Sequence, residues 1–567
     1  MKEQKSFDAI NLNEHLISQI PASSLRHLWA QAKVAREQKH WPEAEGYYRQ
    51  ILTLTPKSKA ANAGLGWVYF YWNNALLEEG GSKKSVAKRN LFKWLQLDNE
   101  KSGLAYGLML IQAKRLADGG ILKMHDFLKY WDLANLQPSH WEKTQGDKNI
   151  IFDSIGVQVI RVAAKEIVNL PNIASSEVSL TAEWVDMALD HDPENVWLIY
   201  YKGKLLLKLG RATEAVNYYK SVVRQKLHES WAWHYLAQAM KDSNDPMVLA
   251  CECKAVAECD LQKSLKIRFK LVKLLMDEKH LAEAKALLEQ IHGIVKPSSS
   301  NLPVEVQRIE KLSWYSQTPA ANNIEEWIRE QGEKALGILT THLSWEPACV
   351  GASFINAKQK PRVAVILKDG HSIAVSPKAF GLLKMRKGEP IEIKKVTSPS
   401  GKTSILDLRK RTGDLWDIAK SAKAVVTGID RKKKSIRFVG IVTGETDTPR
   451  SFFCPADVVK DKLSLGDAVH LQFIPGEKNF IFSAIRTNQP SPDRLLRKIY
   501  SSVDFIAPNR SFGKLDNGVF LSNYFLFCHK DVTKDSVVSG IAVPNFDHKK
   551  NVWGWMLLTV DTVENLN

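Results

Sequence analysis

The residues best placed to do chemistry here are positive charges crowded at turns. Arg431, Lys432, Lys433 and Lys434 fill one short connection, and Arg437 follows it closely. Such a tip tracks phosphates, each contact adding salt-dependent affinity but no base preference. The alternative for the same residues is a solvated loop whose charges deter edge-to-edge strand pairing. Lys384, Arg386, Lys387, Lys394 and Lys395 form a second cluster, of which alternate members point away from any ligand if they lie on a strand. Lys549 and Lys550 precede Trp553 and Trp555, which a strand places on one face, where core packing is the commoner role. Phe452 and Phe453 point to opposite faces of a strand, so only one of them is exposed.

Catalytic spacing is harder to find. The chain holds no phosphate-cradling G-x-x-x-x-G-K-[ST], no H-E-x-x-H, no G-x-S-x-G and no dinucleotide fingerprint. His15, His27 and His40 lie in helical stretches without carboxylates at ligand spacing. Asp414 and Asp417 flank Trp416 and mimic a carboxylate pair, but a polar helix start explains them more simply. Cys251, Cys253 and Cys259 lack the second ligand pair that a zinc site needs, and Cys349, Cys454 and Cys528 stand alone among apolar neighbours. We expect no enzyme, no metal and no cofactor.

What must position the basic clusters is legible in the charge balance. The net charge is +17, and residues 351–567 supply +14 of it, with 35 Lys and Arg against 21 Asp and Glu. The first 350 residues are nearly neutral at +3. A positive field over one region concentrates polyanions there. Solubility alone is the bland alternative. No apolar run approaches the roughly 18 residues of a membrane span. The N-terminus, MKEQKSFDAINLNEHLISQI, has scattered charges and no apolar signal core. A cytoplasmic protein with no membrane contact is expected.

The first half reads as repeats. Ala44, Tyr48, Ile51 and Pro56 take the small, aromatic, apolar and proline places of a second helix in a 34-residue helix pair. Leu65, Gly66 and Tyr69 give the L-G-x-x-Y part of the tetratricopeptide signature, and Ala32 precedes Gly66 by 34 residues. Ala188 and Pro193 close a later unit; Gly203, Ala215, Tyr219 and Val222 make the next; Ala237 follows Gly203 by 34. Ala284, Leu288 and Ile291 repeat the second helix again. Several matches in phase predict a tetratricopeptide α-solenoid, because a lone helix pair cannot bury its apolar face. Its blocks are 1–84 and 181–345, the second ending in a long helix near 323–342, with a helical, out-of-phase middle at 85–180. In that middle, FLKYWDLANLQPSHWEK predicts a helix ended near Pro138, with Trp131 and Trp141 in the core. The concave face of such an array holds a peptide or a partner protein.

After Pro361 the period falls from 3.6 to 2. Asp369-Gly370 predicts a hairpin, and a Lys-Gly step and Ser-Pro-Ser-Gly punctuate the next strands. Three blocks follow, at 355–418, 420–488 and 494–565, each sized for a small five-stranded barrel of the OB type. SH3-like barrels are the alternative. The fold class expected is therefore α followed by β: a repeat solenoid, then about three OB-like barrels.

Two resemblances sharpen this reading. Asn509, Arg510, Ser511, Phe512, Gly513, Lys514 and Leu515, with Val519, Phe520 and Leu521, resemble two adjacent strands of a cold-shock domain. That family displays aromatics on which bases stack, which implies stacking roles for Phe512 and Phe520 and contacts from Arg510 and Lys514. Lys514 departs from the family, which usually has a second aromatic there. The whole layout, with DFLKYWDLANLQPSHWE in the middle and NVWGWMLL near the end, resembles bacterial tetratricopeptide proteins with cold-shock or S1-like modules linked to phage-restricting conflict systems. It implies an adaptor that binds single-stranded RNA or DNA and recruits a protein such as a nuclease or helicase. A protein scaffold with SH3-like peptide readers is the other class.

Overall fold

A computed structural model describes residues 22–98, 101, 104–146, 151–241, 245, 247–260, 264–295, 304–459, 461–475, 479–488, 494–547 and 550–565. The chain divides into two compact units, residues 1–339 and 340–567. Among the described residues no helix is long and apolar enough to cross a membrane.

The first unit is a series of antiparallel helix pairs. It begins with α1 (Ala22–Glu37) and α2 (Trp41–Leu54), then α3 (Lys59–Glu79) and α4 (Lys83–Leu95). The repeat positions do what their types require. Ala32, Ala44, Tyr48, Ile51, Leu65 and Tyr69 are all buried. Gly66 is buried inside α3. The second block comprises α7 (Ile155–Asn169), α8 (Ser175–His191), α9 (Val196–Lys208), α10 (Ala212–Gln225), α11 (Ser230–Met240), α12 (Met247–Ala257), α13 (Leu265–Asp277) and α14 (Leu281–Val295). A Cβ at Gly203 would sit 2.8 Å from the buried Tyr219 ring, so the large residue of one helix fills the space its partner's glycine leaves. Cys251 and Cys253 are core residues of α12, and burial pushes both thiols up.

The middle departs from the expectation of continuous helix. After α5 (Leu104–Asp118), α6 (Met124–Trp131) stops well short of Pro138. Asp132 has a positive φ of 63°, and its side chain accepts the Ala134 N–H, which starts a 3-10 turn at Leu133–Asn135. Pro138 opens a further 3-10 turn, and two short strands, β1 (Thr144–Gln145) and β2 (Ile151–Phe152), pair antiparallel. Trp131 is fully buried, whereas Trp141 is half-buried and stacks on His191 at 4.1 Å.

The expected long helix near 323–342 is also broken. After α15 (Val304–Glu310) and α16 (Ser313–Gln317), α17 (Ile324–Lys334) ends and α18 (Gly337–Thr340) follows as a single turn. Gly332 lies so close to α12 that a Cβ there would meet the Lys254 backbone at 2.9 Å.

The second unit contains three five-stranded modules. The first is β3 (Glu346–Ile355), β4 (Pro361–Leu367), β5 (Ser372–Val375), β6 (Pro390–Thr397) and β7 (Thr403–Lys410), in the order β5-β4-β3-β6-β7. Its first strand begins at Glu346, before the expected start at 355. A register shift between Val350 and Ser353 destroys the alternation that would have marked it. The second module is β8 (Lys420–Asp430), β9 (Ser435–Val442), β10 (Arg450–Pro455), β11 (Ala468–Ile474) and β12 (Phe480–Arg486), in the order β10-β9-β8-β11-β12. The third, β13 (Arg497–Ile506), β14 (Phe512–Leu515), β15 (Phe520–Ser522), β16 (Val537–Asp547) and β17 (Val552–Glu564), closes completely in the order β13-β14-β15-β17-β16.

All three share one connectivity: a three-stranded meander, a helical turn, then a fourth strand paired to the first. In the third module that turn is α19 (Asn523–Cys528). This is OB topology and not that of an SH3-like barrel.

Candidate nucleic-acid interface

The third barrel builds an exposed aromatic surface on its first three strands. Along β14, Gly513 and Leu515 face inward while Phe512 and Lys514 face out. The Asp516-Asn517-Gly518 turn fixes the register of β15: Gly518 takes a φ of +84°, and the Asn517 side chain accepts the Val519 N–H. Phe520 thereby pairs with Lys514, and the Phe512 and Phe520 rings lie 6.1 Å apart and 11° from parallel.

A third ring joins from β13. Between Val503 and Phe505 that strand carries a bulge, which turns Phe505 outward although Val503, two residues earlier, is buried. Phe505 then stands opposite Lys514, its ring 5.6 Å from that of Phe512. A Cβ at Gly513 would lie 2.9 Å from the Phe505 carbonyl oxygen, so this close strand approach requires glycine. Phe505, Phe512 and Phe520 are 44%, 41% and 38% exposed, with the Lys514 ammonium set in the same row. Lys514 has no ion-pair partner among the described residues. Sequence reasoning missed Phe505, because only the bulge brings it to this face.

Arg510 does not belong to that surface. Its guanidinium donates to the carbonyl oxygens of Val532 (3.1 Å), Leu526 (3.2 Å) and His529 (3.0 Å). It ties the end of α19 and the following loop to the β13–β14 turn, a structural task rather than a phosphate contact.

On the second module, Arg431, Lys432, Lys433 and Lys434 are all exposed at the β8–β9 tip. Asp430 holds the turn by accepting the Lys433 N–H at 2.9 Å, and Lys434 has a positive φ of 48°. Arg437 is exposed on β9, lies across Gly428 and pairs with Phe453 on β10. Phe453 is 57% exposed and Phe452 is core, as alternation requires. None of the five basic residues has an ion-pair partner among the described residues. Farther along the same sheet, Val425 and Val439 are buried against Leu495 and Val543, with Trp553 packed beside them. The third barrel thus covers part of the second.

The first module's basic residues separate. Lys384, Arg386 and Lys387 are exposed between β5 and β6. Lys394 instead lies over the Trp345 ring and donates to the Thr340 carbonyl, and Lys395 pairs with Glu346 at 3.0 Å. Lys550 is exposed in the β16–β17 turn; Lys549 lies outside the described residues. Trp555 packs on the third barrel's core rather than forming a platform.

Asp414 and Asp417 begin no helix. Asp417 is gripped by the Arg411 guanidinium, and Trp416, at a φ of +63°, stacks on Phe482 at 4.0 Å, joining the first module to the second.

Residues 196–335 match the model of a family described as a domain of unknown function, DUF7017. A comparison with curated proteins found no match. Among solved structures, the chain is similar to MamA protein at 14% identity, covering 33% of this chain and 97% of that one with a TM-score of 0.24. It is similar to the human IFIT1 dimer with m7Gppp-AAAA at 15% identity, covering 53% and 69%, with a TM-score of 0.25. A Drosophila Unr fragment, CSD456, is similar at 9% identity over 39% of this chain and 98% of that one, with a TM-score of 0.13.

Proposed function

We propose that this chain is a non-catalytic adaptor that binds single-stranded RNA or DNA through its C-terminal barrels. The observation that carries the proposal is the row of Phe505, Phe512 and Phe520 around Lys514. Exposed aromatics cost hydration free energy unless something flat covers them, and a base on each ring is the cover a single strand provides. The interleaved ammonium meets the phosphates between stacked bases. The exposed cluster Arg431–Lys434 with Arg437, and Lys384, Arg386, Lys387 and Lys550, supply further sequence-independent contacts.

The helical array recruits a protein partner, such as a nuclease or helicase, to the bound strand. The setting we propose, on the resemblance of the layout, is defence against phages. Peptide-reading SH3-like barrels are disfavoured by the strand order. Fluorescence anisotropy of the full chain with a labelled single strand at low salt tests the proposal. Binding that falls steeply with added salt supports it, and no binding refutes it.

A further inference from the structure

The helical half has its own positively charged aromatic surface, in the nearly neutral part of the sequence. The first helices of three successive pairs, α9, α11 and α13, lie side by side. Together they carry seven Lys and Arg and one Asp; Lys202, Arg268 and Lys273 are paired with Asp186, Glu325 and Glu305, so the face's positive charge rests on the other four. By contrast α8, packed against α9, carries four acidic residues and no Lys or Arg. The charges are therefore sorted by helix.

Trp197 of α9 stacks on Trp231 of α11 at 5.5 Å and 11° from parallel, yet remains 42% exposed. Further along, Lys204 Nζ sits 5.3 Å from the Tyr200 ring centre and 4.8 Å from that of Tyr235. From α13, Lys270 Nζ reaches His234 Nε2 at 2.6 Å, and His234 Nδ1 lies 2.8 Å from Glu252. Both ammoniums bear electrostatically on the Tyr235 phenol. Neither Lys204 nor Lys270 has a carboxylate within ion-pair distance among the described residues, although both are half-buried. Burial lowers the Lys270 ammonium's pKa, which a bound anion would reverse.

From this arrangement we infer that the face formed by α9, α11 and α13 binds a nucleoside phosphate, with its phosphate at Lys204 and Lys270 and its base against Trp197. Two partly desolvated cations, of which only Lys270 is offset by a carboxylate, Glu252 acting through His234, call for an anion between them. The open indole of Trp197, two turns from Lys204 along α9 and linked to it through Tyr200, selects a flat, stackable group over an acidic peptide. A free nucleotide and the phosphorylated end of a strand present the same chemistry. This site is independent of the barrel surface.

The test titrates the full chain with adenosine monophosphate, adenosine, inorganic phosphate and an acidic peptide, following tryptophan fluorescence and heat. Parallel titrations use a short single strand with and without a 5′-phosphate. We expect adenosine monophosphate to bind at least tenfold tighter than adenosine. The Lys204→Gln/Lys270→Gln double variant should remove that preference, and Trp197→Phe should remove most of the fluorescence change. If the 5′-phosphate strengthens strand binding and the monophosphate binds weakly, the ligand is a strand end; the reverse indicates a free nucleotide. Thermal unfolding matched to the parent shows that the variants fold, and Trp197→Phe alone serves if the double variant does not. Equal binding of adenosine and its monophosphate, or tighter binding of the acidic peptide, overturns the inference. Phe512→Ala leaves this titration unchanged, so its outcome is separate from that of the barrel proposal.

Discussion

Phe512 and Phe520 hold their rings nearly parallel on neighbouring antiparallel strands, 6.1 Å apart and both open to solvent. Two hydrophobic rings side by side on a small barrel would pack inward if stability alone placed them. Here the inward positions of the same strands are already filled by Leu515 and Leu521.

Replacing either ring tests its share. Phe512→Ala and Phe520→Ala should each weaken single-strand binding by about 1–3 kcal/mol while leaving the melting temperature nearly unchanged. Phe505→Ala should behave similarly. Equilibrium binding beside thermal unfolding checks this.

The β8–β9 tip should act through charge alone. Changing Lys432, Lys433 and Lys434 to Glu should weaken binding to all sequences alike. It should also reduce the slope of log affinity against log salt by about 0.7 for each phosphate that is no longer neutralised. A salt series on parent and variant measures both effects.

Arg510 should matter for folding and not directly for binding. Arg510→Ala removes three hydrogen bonds to carbonyl oxygens, of which only that of His529 keeps another donor among the described residues, the Val532 N–H, and should destabilise the third barrel by about 1.5–3 kcal/mol. Where the variant is still folded, its strand affinity should match the parent. Denaturant melts and binding at reduced temperature separate the two.

The first repeats carry a pH-dependent element at Glu45, a nearly buried carboxylate. Burial alone would raise its pKa, but hydrogen bonds from Lys93 (2.7 Å), Arg49 (2.8 Å) and Tyr69 (2.7 Å) outweigh that and hold it below the usual carboxylate range. Because the folded-state value is the lower one, the stabilisation is complete above the unfolded carboxyl's titration. It is lost as pH falls through the folded-state value. Glu45→Gln should therefore lower the melting temperature at neutral pH, and the gap to the parent should narrow below about pH 4.

Much of this architecture is legible in the sequence because it depends on local rules. Gly203 and Tyr219, or Ala44 and Ile51, recur in phase because a helix pair can only close with small against large. Glycines 370, 388 and 401 mark real turns because each takes a positive φ that other residues resist. Phe512 and Phe520 are found through their likeness to a cold-shock surface. What sequence cannot supply depends on register and direction. The bulge that exposes Phe505 and the register shift that hides β3 leave no local mark. An arginine in a turn reads as a surface contact until its side chain is seen folded back, as Arg510 is, onto three carbonyls.

The most direct measurement compares two strands of equal length and charge, one bearing bases and one abasic, on the parent chain and on Phe512→Ala/Phe520→Ala. If bases stack on the third barrel, the parent should favour the base-bearing strand by about tenfold or more, and the variant should lose that preference. Equal affinity of the parent for both strands would contradict the account, leaving only charge to explain any binding.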